Sequence, residues 1–370
     1  MRRSQPLLPF ASIQNLGLWE CRRFACICAL LLFASVQSLG QSSRWEVGLT
    51  LSEMTPNNFN MLEYSAPSVG GEVGWWHCFQ GDEWWIARRK NPAFGIRGSF
   101  AYIPTGIAGH RLGVVGIIRA PLWKRLDYHI GAGLSGYTKS AYFTHDTANI
   151  FISTLVSCLI DVGFDYCLSD RLSASLSLLH SSNGMLHRPN KGLNFLQLSL
   201  SYNFWGPGYR SFETVSELPP PVMDSRHEIG ATLQGGVVAS RDLRLDGYYP
   251  CYDLSLNYQY YLDPVVAVGG TLDLWYNGSH YHLARMLDER YKFPCYVSML
   301  GYVEGKWDRV SIKAGVGPVL VAPPRVNIRF YERVGVYYNM GKHYVGVSLH
   351  AHAGVIEFIE WGYGFRIPIK

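Results

Sequence analysis

Leu172-Ser173-Ala174-Ser175-Leu176-Ser177-Leu178-Leu179-His180-Ser181-Ser182 alternates almost residue by residue, with Leu172, Ala174, Leu176 and Leu178 on one side and Ser173, Ser175 and Ser177 on the other. Successive side chains of an extended chain point to opposite faces, so this is a strand with one apolar and one polar face. A second segment, Asn194 to Phe204, brings Leu196, Leu198, Leu200, Tyr202 and Phe204 into phase in the same way. Segments of about ten residues with this alternation, separated by turn residues, mark an outer-membrane β-barrel. The apolar set then faces lipid and the serines face the barrel interior.

The pattern extends over the chain. No stretch keeps a 3.6-residue apolar period, and strands are expected near 44–53, 71–78, 93–103, 110–121, 126–138, 149–167, 171–181 and 193–205. A second set is expected near 227–238, 251–262, 264–275, 294–306, 308–320, 328–339, 343–352 and 357–369. Lys124-Arg125, Ser169-Asp170, Asp263-Pro264, Trp307-Asp308 and Gly341-Lys342 read as tight turns, whereas 54–70, 139–148, 182–192, 239–250 and 276–293 are long connections. Short and long connections alternate, as short periplasmic turns do with longer external loops. The exceptions are a longish 79–92 and a brief Ala353-Gly354. Residues 206–225, with Pro219-Pro220-Pro221, cannot lie inside a central strand and read as a linker. The fold class is therefore all-β and antiparallel. Two consecutive eight-stranded barrels, 41–205 and 226–370, are preferred to one barrel of sixteen strands.

Phe24 to Val36 is a thirteen-residue apolar run behind Arg22-Arg23, too short to span a bilayer as a helix. With small residues before Gly40 it reads as a secretory signal peptide over residues 1–40, and it leaves the rest of the chain without a long apolar run. Removing it takes away four Arg and one Glu and leaves 29 basic and 27 acidic residues, so the basic balance belongs mostly to the leader. No basic stripe remains to bind nucleic acid. Cys78, Cys158, Cys167, Cys251 and Cys295 are scattered and odd in number, which is neither a disulfide framework nor a metal site. Cys251 and Cys295 each open a strand and could pair, but separate buried thiols is the preferred reading.

His180 continues the apolar, lipid-facing parity of its strand, and Ser182 follows if the strand persists. A hairpin centred near His187 sets Asn194 beside His180. Three polar side chains then gather on the lipid side of the outer rim, where losing hydration is costly without a purpose. The bland reading is an interfacial polar patch; the sharper one is a nucleophile with its base, acting on a molecule in the outer leaflet.

At these residues the chain resembles a known family. His180-Ser181-Ser182-Asn183-Gly184 followed by Pro189-Asn190-Lys191-Gly192-Leu193-Asn194 is similar to the active-site hairpin of the PagL-type lipid A 3-O-deacylases and related acyloxyacyl hydrolases. Gly136-Tyr137-Thr138-Lys139 and Asn149-Ile150 add to the likeness, which covers roughly 44–205. The resemblance implies an outer-membrane esterase that removes a 3-linked acyl chain from lipid A with a Ser-His-acid set and no cofactor or metal. By position, Ser182 would be the nucleophile and His180 the general base, with Asn183 and the Gly184 N–H near the oxyanion. The acid, twelve residues after the serine, falls on Asn194, which departs from the pattern. An amide oxygen can fix the imidazole tautomer but cannot neutralise imidazolium. Asp146, in the preceding outer loop, is a possible substitute.

The expected partners are lipid A or lipopolysaccharide, the surrounding lipids and, between molecules, a homodimer. The rival reading is a non-enzymatic barrel, a pore or structural protein that keeps a degenerate hairpin. Elsewhere, His350 and His352 share a face without an evident third metal ligand, and Asn277-Gly278-Ser279 is formally a glycosylation sequon. Trp75-Trp76, Trp84-Trp85 and Trp361-Tyr363 read as interfacial aromatic belts.

Overall fold

A computed structural model describes residues 43–55, 66–81, 83–104, 108–145, 151–188, 190–206, 208, 221–240, 242, 244–287, 295–323, 328–352 and 355–369. The expected leader, most of the linker, Asp146, Asn149-Ile150 and Pro189 lie outside them. The first eight strands are β1 (Ser43–Thr55), β2 (Pro67–Cys78), β3 (Ala93–Ile103), β4 (Gly109–Trp123), β5 (Leu126–Tyr137), β6 (Val156–Cys167), β7 (Leu172–Ser182) and β8 (Leu193–Trp205). The second eight are β9 (His227–Ala239), β10 (Tyr248–Asp263), β11 (Val266–Asn277), β12 (Cys295–Trp307), β13 (Val310–Val321), β14 (Phe330–Met340), β15 (His343–His352) and β16 (Val355–Ile369). Each strand pairs with its sequence neighbours, and each set closes on itself through β1–β8 and β16–β9. The chain thus forms two closed barrels, and the single sixteen-stranded alternative falls.

Side-chain parity follows the sequence. Ser173, Ser175 and Ser177 are buried in the first interior, while Leu176, Leu178, Leu196, Leu198, Leu200, Tyr202 and Phe204 are exposed on the outer wall. That wall is where the hydrocarbon of the membrane lies. An eight-stranded barrel is just wide enough for side chains to fill it. Arg97 bonds Asp161 at 3.1 Å, and Arg119 pairs with Asp165 at 3.0 Å. His129 sits between Asp165 at 2.7 Å and Asp161 at 3.1 Å, and Arg111 reaches Gln197 at 2.9 Å. This first interior is a packed ionic core rather than a channel among the described residues.

Three readings are corrected. The strand expected over 149–167 begins only at Val156; Phe151 and Ile152 instead turn inward and are buried in the apolar cluster of the first barrel. Trp76 does not belong to an interfacial belt: it is wholly buried, with the Arg119 guanidinium 4.1 Å from its ring centroid. Trp361 and Tyr363, by contrast, are exposed on the outer wall. Asn277 is a helix cap. It is buried at the start of a nine-residue helix, Gly278–Met286, and its Oδ1 accepts from the Ser279 N–H at 3.0 Å and the His280 N–H at 3.4 Å.

Numbering helices in chain order, α1 is Trp84–Arg88, α2 is Ala141–Thr144 and α3 is this capped Gly278–Met286. All three lie in connections, and none of the described helices is long and apolar enough to cross a membrane. The five described cysteines are free thiols, so Cys251 and Cys295 do not pair. The barrels touch at both rims. On the turn side Arg88 pairs with Asp263 at 2.9 Å, and Arg89 donates to the Val265 carbonyl at 2.8 Å and stacks over Trp307.

Candidate active site

β7 runs to Ser182, so the parity that puts Leu176 and Leu178 on the lipid side also carries His180 and Ser182. In the β7–β8 ladder His180 stands directly opposite Asn194, the register expected from the sequence. The His180 Nδ1 to Asn194 Oδ1 distance is 2.5 Å. An amide oxygen only accepts, so Nδ1 carries the ring proton and Nε2 keeps its lone pair. Both residues are half-buried at the rim.

Ser182 is 4% exposed beneath the β7–β8 connection. Its Oγ accepts from the Gly184 N–H at 3.2 Å and from the Asn190 side-chain amide at 2.9 Å. These two donors occupy the oxygen lone pairs, which leaves the hydroxyl proton as the group able to donate. No hydrogen bond joins His180 to Ser182 among the described residues, but the two flank one point. A Cβ built on Gly192, at φ +67°, would lie 3.2 Å from His180 Cε1 and 3.5 Å from Ser182 Cβ. Glycine at 192 is required there by its positive φ and by the Ser181 carbonyl oxygen, 2.9 Å from the same point.

The oxyanion donors named from the sequence are engaged. The Asn183 side-chain amide donates to Ser153 Oγ at 3.1 Å and to the His187 carbonyl at 2.9 Å, so it braces the loop. The Gly184 N–H points at Ser182 itself. Asn190, a member of the Pro-Asn motif given no role above, spans the loop. Its Oδ1 accepts from the Asn183 N–H at 3.2 Å while its amide donates to Ser182. Only the register of an irregular loop puts Asn190 there, and alternation carries no information about such a loop.

His350 and His352 separate. His352 Nδ1 meets the Phe330 carbonyl at 2.7 Å, and His350 turns into the second barrel, where Asp253 and Glu360 lie close enough to share an ion with it. Arg333 already supplies the cation: it is ion-paired to Asp253, lies 3.5 Å from Asp273 and 3.7 Å from Glu360.

Strand number, parity and polar interiors define a β-barrel protein of the outer membrane, with a histidine and a serine on one lipid-facing edge. Residues 70–203 match the family described as Lipid A 3-O-deacylase (PagL), and residues 227–369 match the one described as Acyloxyacyl hydrolase, C-terminal domain. The chain belongs to this PagL and acyloxyacyl hydrolase family, one matched region in each barrel. A solved structure described as the outer membrane enzyme PagL is 14% identical, covering 42% of this chain and 98% of its own at a TM-score of 0.32. A mutant of Rh. blastica porin is 11% identical, covering 88% of this chain and 99% of its own at a TM-score of 0.18. The siderophore receptor PirA from Pseudomonas aeruginosa is 10% identical, covering 87% and 59% at a TM-score of 0.26. Among curated proteins none matches by sequence.

Proposed function

We propose that the protein hydrolyses the 3-O-linked acyl ester of lipid A at the outer rim of its first barrel, with Ser182 as nucleophile and His180 as general base. The 2.5 Å His180–Asn194 contact carries this reading, because it holds the imidazole in the tautomer whose Nε2 can accept a proton. Ser182 Oγ attacks the ester carbonyl, and its proton passes to His180 Nε2. The tetrahedral oxyanion is met by N–H donors that rest on Ser182 before reaction, Asn190 Nδ2 and the Gly184 backbone. Collapse expels the sugar 3-hydroxyl, protonated by His180, and water then releases the acyl group from Ser182 by the same steps.

Asn194 orients His180 without neutralising the imidazolium, so the rate falls below that of a carboxylate-backed site. The side chains share a lipid-facing edge, so a substrate in the outer leaflet reaches them laterally. The test is to express the full chain in outer membranes and weigh the lipid A by mass spectrometry. Loss of one 3-hydroxyacyl mass, absent with Ser182→Ala, is expected; unchanged lipid A beside well-folded protein overturns the reading.

A further inference from the structure

The second barrel does not stand apart from the Ser182 loop. Gly184 and Met185 lie consecutively in the left-handed region, at φ +63° and +61°. Glycine adopts that conformation freely, but methionine does so only when its surroundings hold it there. For Met185 those surroundings belong to the second barrel. Its carbonyl accepts from the Ala239 N–H, at the outer end of β9, at 2.7 Å. Its side chain is 4% exposed and clusters with Val238, Cys251, Trp275, Tyr296, Ile328 and Phe358.

Trp275 stacks on Tyr296 at 3.6 Å between centroids, and Phe358 on His350 at 4.6 Å, so these rings plug the outer mouth of that barrel. Met185 joins the plug. Next to it, a Cβ on Gly184 would fall 2.5 Å from Ile359 Cδ1, so Gly184 lies flush against β16. Arg188 completes the seat, donating to the Asp242 carbonyl at 2.6 Å and the Leu245 carbonyl at 2.9 Å in the β9–β10 connection.

We infer that the second barrel is the seat of the active-site loop, with Met185, Arg188 and Ile359 acting as positioning residues that aim the Gly184 N–H and the Asn190 amide at Ser182. The inference rests on the hydrolase reading for its effect on rate, though not for its effect on the loop. Ile359 lies on β16 and Met185 three residues from the nucleophile, and neither touches Ser182 Oγ in the described structure. Their influence passes through Gly184, whose N–H does. Misplacing a donor by about 1 Å costs on the order of 10²-fold in rate while leaving substrate binding largely intact.

Two measurements on the full chain in detergent micelles test this. Hydrogen exchange of the 183–188 amides reads the loop, and kcat with KM for lipid A reads its consequence. Met185→Ser and Ile359→Ala are expected to speed loop exchange and to lower kcat by about tenfold or more with KM within about twofold. Met185→Leu, which refills the plug, should restore both. Heat-modifiable gel migration checks that both barrels remain closed. Loop exchange unchanged in Met185→Ser and Ile359→Ala overturns the inference, as does faster exchange with an unaltered kcat. If the wild-type chain hydrolyses nothing, the hydrolase reading falls; faster loop exchange in the same variants would still support the seat.

Discussion

Each barrel carries a serine and a histidine two residues apart near the outer end of its seventh strand, and the two pairs have opposite fates. In the first barrel His180 and Ser182 take the lipid-facing parity of β7, and the His180 partner is Asn194. In the second, Ser348 and His350 on β15 take the inward parity and even possess a carboxylate, Glu360 on β16. Ser348 Oγ donates to Glu360 at 3.0 Å and His350 Nδ1 lies 3.3 Å from the same residue. The second barrel thus has the full Ser-His-acid composition, whereas in the first an amide, Asn194, stands opposite the histidine. Yet the inward set is buried beneath stacked aromatic rings and tied to Arg333, away from the lipid-facing wall. The face a residue occupies, more than its type, separates a site from a core network.

Substitutions at four positions can break or sharpen this contrast. Ser182→Ala should remove ester hydrolysis by about 10³- to 10⁶-fold, the range for losing a nucleophile, in an assay of acyl release from lipid A. Arg333→Leu strands Asp253, Asp273 and Glu360 in the second interior without their cation. It should destabilise that barrel by about 3–5 kcal/mol, seen as a lower urea midpoint in refolding. Asn194→Leu should reduce kcat by about 10²-fold through loss of the tautomer-fixing bond, whereas Asn194→Glu should keep or raise it; loss of activity in Asn194→Glu would contradict an orienting role. Ser348→Ala should leave hydrolysis unchanged and shift stability by only about 1–3 kcal/mol.

Much of this architecture is legible from alternation alone. The lipid-facing leucines, the inward serines and the His180–Asn194 register all follow from a side-chain period of two in a paired strand. The misses have two causes, residue type read without its parity and loops. Trp76 reads as a belt residue by type, but its parity and the guanidinium of Arg119 put it inside. Phe151 and Ile152 look like strand yet cap a barrel mouth, because burial there satisfies them as well as lipid would. The capped helix at Asn277, the Asn190 amide on Ser182 and the contact of Met185 with the second barrel all depend on loops. Loop geometry is set by tertiary contact rather than by period. The motif names the residue types of the candidate site, while the groups that brace them come only from the fold.

The contrast between the two serine–histidine pairs is tested most directly by treating the full chain, in native outer membranes, with a fluorophosphonate and mapping the adduct by peptide mass spectrometry. The adduct is expected on Ser182, lost in His180→Ala, with Ser348 unmodified. Labelling of Ser348, or labelling of Ser182 that survives His180→Ala at full rate, would contradict a reactive centre on the lipid-facing rim of the first barrel.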